Sequence, residues 1–170
     1  MTVRLFIAAA AVTAVFAPVA IAGPIITLAG VKWPDLVVAD LQVSQAKPGL
    51  TQAVFDTVSF TVKEACGAKV AKAYHVALKI AASQSGAPLY TVTLAANPLP
   101  ANGSQTWSLP LGKSFASSSY VRVDADSNNE IGEDVEGNNY AQLNPNVAPF
   151  PQNSKTYCKP HAIGVVKPQP

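Results

Sequence analysis

The sequence has little net charge, only two histidines and no long stretch of helical periodicity. It contains 12 Lys and Arg against 10 Asp and Glu, a formal net charge of +2, so it shows no electrostatic preference for nucleic acid. Neither His75 nor His161 lies near a recognisable nucleophile motif such as Gly-x-Ser-x-Gly. The sequence therefore does not predict an enzyme, and it predicts no bound cofactor.

Only one apolar run is long, and it lies at the N-terminus. Arg4 precedes the run at 5–15, and the small-x-small triplet at 20–22 follows it, which is the pattern of a cleavable secretory signal. The run is shorter than the roughly 20 residues that a bilayer requires. We therefore predict a signal peptide at 1–22 and a mature chain that is secreted or periplasmic and does not span a membrane.

The rest of the chain consists of short alternating runs separated by turn residues. These runs lie at 35–43, 54–62, 74–80, 90–94, 105–109, 120–125 and 139–143. Seven short strands at this spacing predict an all-β fold, an immunoglobulin-like seven-stranded antiparallel β-sandwich. In the second strand, the two-residue period places Val54, Val58, Phe60 and Val62 on one face and Phe55 on the other.

The two cysteines, Cys66 and Cys158, are far apart in sequence, and in an exported protein they predict one disulfide. Residues 144–170 contain 6 of the 14 prolines and are predicted to form an extended C-terminal tail. The chain from Asn144 to Cys158 can span about 46 Å when extended. Because the sandwich is only about 20 Å long, the tail can run along it and bring Cys158 to the Cys66 loop.

Four parts of the sequence resemble the CARDB module, the cell-adhesion-related domain found in bacteria. They are Pro34-Asp35-Leu36-Val37-Val38, the turn Lys47-Pro48-Gly49, the strand 54–62 and, most specifically, the segment 123–139. The resemblance covers 34–143. It implies a seven-stranded immunoglobulin-like sandwich in a surface, secreted or periplasmic protein, used as a spacer or a binding module.

The segment 123–139 is strongly acidic. It holds six of the ten acidic residues: Asp124, Asp126, Glu130, Glu133, Asp134 and Glu136. Asp124, Asp126 and Asn128 have the spacing of the first ligands of a calcium loop, and Glu133 or Glu136 could complete an oxygen cage. The match is incomplete, because Asn129 replaces the usual glycine and Val135 the final glutamate.

A second interpretation of the acidic segment needs no metal. Asp and Asn side chains would bond nearby backbone amides and hold a tight connection. Three lysines, Lys63, Lys69 and Lys72, would lie at the same end of the sandwich and balance the carboxylates. The sequence leaves both interpretations open.

Four aromatic residues allow a further hypothesis, a platform on which carbohydrate could stack. They are Tyr74, Tyr90, Trp107 and Tyr120. Each lies in a predicted strand, where an aromatic side chain usually belongs to the core, and Trp107 is predicted to anchor that core. Tyr120 is the best candidate for an exposed ring, and His75 is predicted to be a surface or packed residue.

The sequence thus predicts an exported, non-enzymatic module for binding, adhesion or assembly at the bacterial cell envelope. Its partner would be a protein or an envelope glycan. The alternatives are a calcium-dependent binding or scaffold domain and a small periplasmic chaperone or inhibitor.

Overall fold

The computed structural model describes residues 30–44, 53–133, 135–145 and 156–161. The elements in chain order are β1 (Val31–Lys32), β2 (Leu36–Val43), β3 (Val54–Glu64), β4 (Tyr74–Ala81), β5 (Pro88–Ala96), β6 (Ser104–Ala116), β7 (Tyr120–Asp124), a 3-10 turn (Glu136–Asn138), β8 (Tyr140–Leu143) and β9 (Pro160–His161). The predicted signal peptide at 1–22 lies outside these residues. Within them, no helix has the length and apolar character needed to cross a membrane.

The strands form two antiparallel sheets and a short ribbon. One sheet has three strands in the order β2-β3-β6, and the other has four in the order β5-β4-β7-β8. β1 pairs with β9 in the separate two-stranded ribbon. Seven strands divided three and four between two sheets form an immunoglobulin-like β-sandwich, and the predicted fold class is confirmed.

The core lies between the sheets and follows the two-residue period. On β3, Val58, Phe60 and Val62 are buried, and on β4 the alternate positions from Tyr74 to Ile80 are buried as well. Fully burying one such side chain stabilises the fold by about 1.5 to 3 kcal/mol. Val121 and Val123 of β7 also point inward, since both are fully buried.

Two predictions about the three-stranded sheet are wrong, for a shared reason. The pairing of β3 with β6 shifts between Phe55 and Thr57, so Phe55 turns into the core and stacks on Phe115. β6 continues to Ala116 instead of ending at residue 109. Pro110 is tolerated because β6 is an edge strand, and Gly112 takes a φ of +71° within the irregularity.

The two lateral sides of the sandwich differ. On one side β2 lies against β8, which joins the two sheets. On the other side β5 and β6 are the edge strands, and five of their inward side chains are only half-buried. These side chains are Tyr90, Val92, Leu94, Trp107 and Leu109.

Candidate binding surface and the disulfide pole

The connection between β7 and β8 is a compact, hydrogen-bonded turn. Asp126 is buried in a left-handed conformation (φ 49°), and its carboxylate accepts from the backbone N–H of Glu130 at 2.7 Å and of Ile131 at 2.6 Å. Burial raises the pKa of the Asp126 carboxyl, and these two hydrogen bonds oppose the rise. The side chain of Ile131 is thereby held in the core.

The five candidate calcium ligands have different partners. Asp124 pairs with Lys79 and Arg122, Asn128 is exposed, Glu133 accepts from the Leu36 N–H, and Glu136 accepts from the Glu133 N–H. Among the described residues, one group of three His, Cys, Asp or Glu side chains has its ligand atoms within 4.8 Å of one another. That group is Asp35, Cys66 and Cys158, whose sulfurs are bonded to each other.

Among the described residues, the ion pairs of the acidic connection include none of the three predicted lysines, although Lys72 lies near it. Lys63 pairs with Asp40 on β2 at 3.1 Å. The side-chain partners of the connection and the adjoining β7 come from β4 and β7 themselves: Lys79 and Arg122 pair with Asp124, and a ring nitrogen of His75 hydrogen-bonds Glu130 at 2.8 Å. The predicted Lys72 is near enough to lower the pKa of Asp126, but other causes outweigh it.

Glu64 is a buried carboxylate that the sequence did not single out. It ends β3 and accepts three backbone hydrogen bonds, from the N–H groups of Cys66 at 2.8 Å, Gly67 at 2.9 Å and Asn102 at 2.8 Å. These groups belong to two different loops. One carboxylate therefore ties the Cys66 loop to the turn before β6, and only the fold brings Asn102 within reach.

Asp35 has the same role at the start of β2. One oxygen accepts from the Asn138 side chain at 2.7 Å and the other from the Tyr157 N–H at 2.8 Å, while its own carbonyl accepts from the Ala65 N–H at 2.9 Å. The residue is 2% exposed. Asp35 therefore joins the first strand to the acidic connection, the Cys66 loop and the tail.

Glu133 is buried beside this network and hydrogen-bonds the Leu36 N–H at 3.1 Å. Burial raises its pKa to about 9; the bond from Leu36 opposes the rise, and the carboxylates of Glu136 and Asp35 add to it. At neutral pH this carboxyl is therefore protonated. The side chain of Asn139 also hydrogen-bonds this carboxyl and opposes the rise.

The Cys66–Cys158 disulfide closes this end of the molecule and confirms the predicted pairing. Just beyond it, β9 pairs with β1, so the described parts of the tail and of the N-terminal segment run side by side. We call the end formed by Asp35, Glu64, Glu133, Asn138 and the disulfide the disulfide pole. The tail between 146 and 155, predicted to run along the sandwich, lies outside the described residues.

The outer face of the four-stranded sheet carries the clearest polar cleft. It has a volume of about 270 Å³ and lies between the sheet and the acidic connection. Lys79, Arg122, Asp124 and Tyr140 line it, together with Asp126, Ser127, Glu136 and Asn139. Arg122 lies 4.1 Å above the Tyr140 ring and donates to Asp124 at 2.6 Å, so the cation is held in one position.

The predicted aromatic platform does not form as one surface. Tyr74 is buried, and its burial raises the pKa of its hydroxyl. Trp107 is not the centre of the core as predicted: it is half-buried and stacks on Phe60 from the open side. Tyr90 also lies on that side, against Phe115, while Tyr120 is half-buried on β7. The rings therefore cannot stack on one ligand together.

The fold and the site define the class of this protein. It is an immunoglobulin-like module in which the acidic β7–β8 connection is hydrogen-bonded to the first strand of the sandwich. The family model of CARDB matches residues 33–143, and the chain belongs to that family. CARDB is a non-catalytic, immunoglobulin-like family of binding-type domains with a link to bacterial adhesion. Comparison with curated proteins gave no match, and comparison with solved structures gave none either.

Proposed function

We propose that the mature chain is an exported, non-enzymatic binding module of the bacterial cell envelope, and that the cleft beside Arg122 and Tyr140 contacts its partner. The family match supports a binding module. The disulfide supports export, because such bonds persist mainly in oxidising compartments.

The residues that line the cleft are the main support for this proposal. An arginine fixed over an aromatic ring, a lysine and several carboxylates converge on one depression, which suits a ligand rich in hydroxyl, amide or charged groups. Pockets that enclose a whole small molecule usually measure about 300 to 1,000 Å³. This cleft is just below that range, so it fits one sugar ring or one side chain of a larger partner.

The test is capture of the partner from envelope extract by the mature protein. Arg122→Ala and Tyr140→Ala remove the two stacked groups, and Ser108→Ala, on the outer face of the other sheet, is the matched control. We expect at least tenfold less captured partner with the first two variants and no change with the control. Equal capture by all three, or no specific capture by the wild type, contradicts the proposal.

Export has its own test. Full-length protein produced in a bacterial host should reach the periplasm or medium with an N-terminus at or near residue 23. Mass spectrometry of the non-reduced protein should find no free thiol. A cytoplasmic product that keeps residues 1–22 would contradict the export proposal and leave the binding proposal to be judged by the capture experiment.

A calcium-dependent module is the second candidate, and one observation favours it. Asp124, Asp126 and Glu136, three of the predicted ligands, line the same cleft. If calcium binds there, a chelator should lower the melting temperature and added calcium should restore it, because a ligand of the native state stabilises it by mass action. An unchanged melting temperature and no heat in calorimetric titration would contradict this candidate.

A further inference from the structure

The outer edge of β5 differs from the other strand edges of the sandwich. β5 is the last strand of the four-stranded sheet, and among the described residues its far side has no neighbouring strand. It contains no charged residue from Pro88 to Ala96 and is rich in Thr, Val, Leu and Tyr, which favour strands. Leu89, at its start, is 55% exposed, the most exposed large apolar side chain among the described residues.

The other three edges each carry a feature that opposes pairing with another chain. β2 is interrupted at Asp40, which has a φ of 54° and pairs with Lys63. β6 contains Pro110 and the irregularity that includes Gly112. β8 has only four residues. Bulges, charges, proline and shortness are the usual protections of exposed edges. β5 has such features only at its start, where Pro88 is followed by an irregularity at Leu89, and from Tyr90 to Ala96 it pairs regularly with β4.

We propose that two copies of this chain associate through β5, with the two strands antiparallel across a two-fold axis at Val92. In this register Tyr90 lies opposite Leu94 of the second copy, and Thr91 opposite Thr93 of the second copy. The half-buried apolar row of one copy continues into that of the other, and the exposed threonines pair with each other. The two four-stranded sheets become one eight-stranded sheet.

A second copy suits this edge because the strand is self-complementary. Self-pairing brings no like charges together, whereas a charged partner strand would find no opposite charge on β5. A two-fold interface needs such self-complementarity, because each residue meets its counterpart in the reverse order.

The size of the contact predicts a weak dimer. Nine residues extend over about 30 Å, and two strips of that length and about 10 Å width bury roughly 600 Å² in total. Stable pairs usually bury about 1,200 Å² or more. The dimer should therefore form at high concentration, with a dissociation constant of about 10 µM to 1 mM.

Sedimentation equilibrium of the mature, oxidised protein over this concentration range measures the association. Thr93→Lys places a charge on the exposed face of β5 and should weaken the dimer at least tenfold. Thr106→Lys, the same substitution at an exposed position of β6, is the matched control and should leave the dimer unchanged. The melting temperature of each variant at low concentration shows whether its monomer is folded.

Amide hydrogen exchange locates the interface. At high concentration the wild type should gain protection within 88–96, whereas Thr93→Lys should not. A wild type that stays monomeric to about 1 mM overturns the proposal. So does a dimer that survives Thr93→Lys, or protection gained outside β5.

Discussion

The backbone N–H and C=O groups are hydrogen-bonded in different ways at the disulfide pole and at the β5 edge. At the pole, the carboxyl groups of Asp35, Glu64 and Glu133 accept backbone N–H groups from four separate segments, and a covalent bond holds the tail in place. At the β5 edge, no strand of the described part of the chain pairs with the outward backbone groups. Irregular loops thus become rigid where side chains bond them, and a regular strand stays open to association.

Of the predicted changes, loss of the disulfide should lower the free energy of unfolding the most. The bond joins residues 92 positions apart, and a loop of that length contributes about 4 kcal/mol in the chain-entropy model. The double variant Cys66→Ala/Cys158→Ala should lose about that much free energy of unfolding, measured by urea denaturation. It should also lose amide protection at 156–161. Unchanged stability would show that hydrogen bonds alone hold the pole together.

Removing the Glu64 carboxylate should cost about 3 kcal/mol, because three N–H groups lose their acceptor and each unsatisfied buried group costs about 1 to 3 kcal/mol. The test compares urea denaturation of Glu64→Ala with that of Glu136→Ala. Glu136 is exposed and accepts one backbone N–H, so its loss should cost less than about 1 kcal/mol. Equal effects of the two variants would contradict the role given to Glu64.

The raised pKa of Glu133 predicts a pH dependence. Its pKa is about 9 in the folded state against 4.5 as the ordinary value, so the folded state holds the proton more tightly. The stability that this proton contributes is complete below about pH 4.5 and is lost progressively as the pH rises towards 9. The loss approaches about 1.4 kcal/mol per pH unit within that window.

Glu133→Gln tests this dependence, because a neutral amide replaces the protonated carboxyl with little change of shape. Relative to the wild type, the variant should gain about 2 to 3 kcal/mol of stability between pH 5 and pH 7, which is two pH units at up to about 1.4 kcal/mol each. Glu136→Gln removes one of the charges that raise the Glu133 pKa, so this variant should keep the pH dependence but complete it at a lower pH than the wild type. Parallel profiles of Glu133→Gln and the wild type would show that Glu133 is ionised in the folded protein.

The smallest effect on folding is expected at the β5 edge. Thr93 is exposed, so Thr93→Lys should change the free energy of unfolding of the monomer by less than about 0.5 kcal/mol. The same substitution should weaken self-association strongly. A loss of several kcal/mol in urea denaturation would mean that β5 contributes to folding in the way the pole does.

Local patterns in the sequence predicted much of the fold and less of the site. The alternating runs located all seven sandwich strands, because half-buried strands show the two-residue period directly. The same reasoning misplaced Phe55 and shortened β6, since an irregular pairing between two strands is not encoded in either strand alone. The acidic pattern in the sequence pointed to Asp124 and Glu136, but no sequence pattern pointed to the cation that lies over the Tyr140 ring.

The sequence by itself determined the class of the protein, the strand positions, the segment of the CARDB resemblance and the pairing of the only two cysteines. Each of these depends on nearby residues or on simple counting. Only the tertiary structure decided that Asp35, Glu64 and Glu133 are buried hydrogen-bond acceptors and that β5 is an edge strand. Their partners lie up to 122 positions away in the chain, and an edge exists only once the strand order is known.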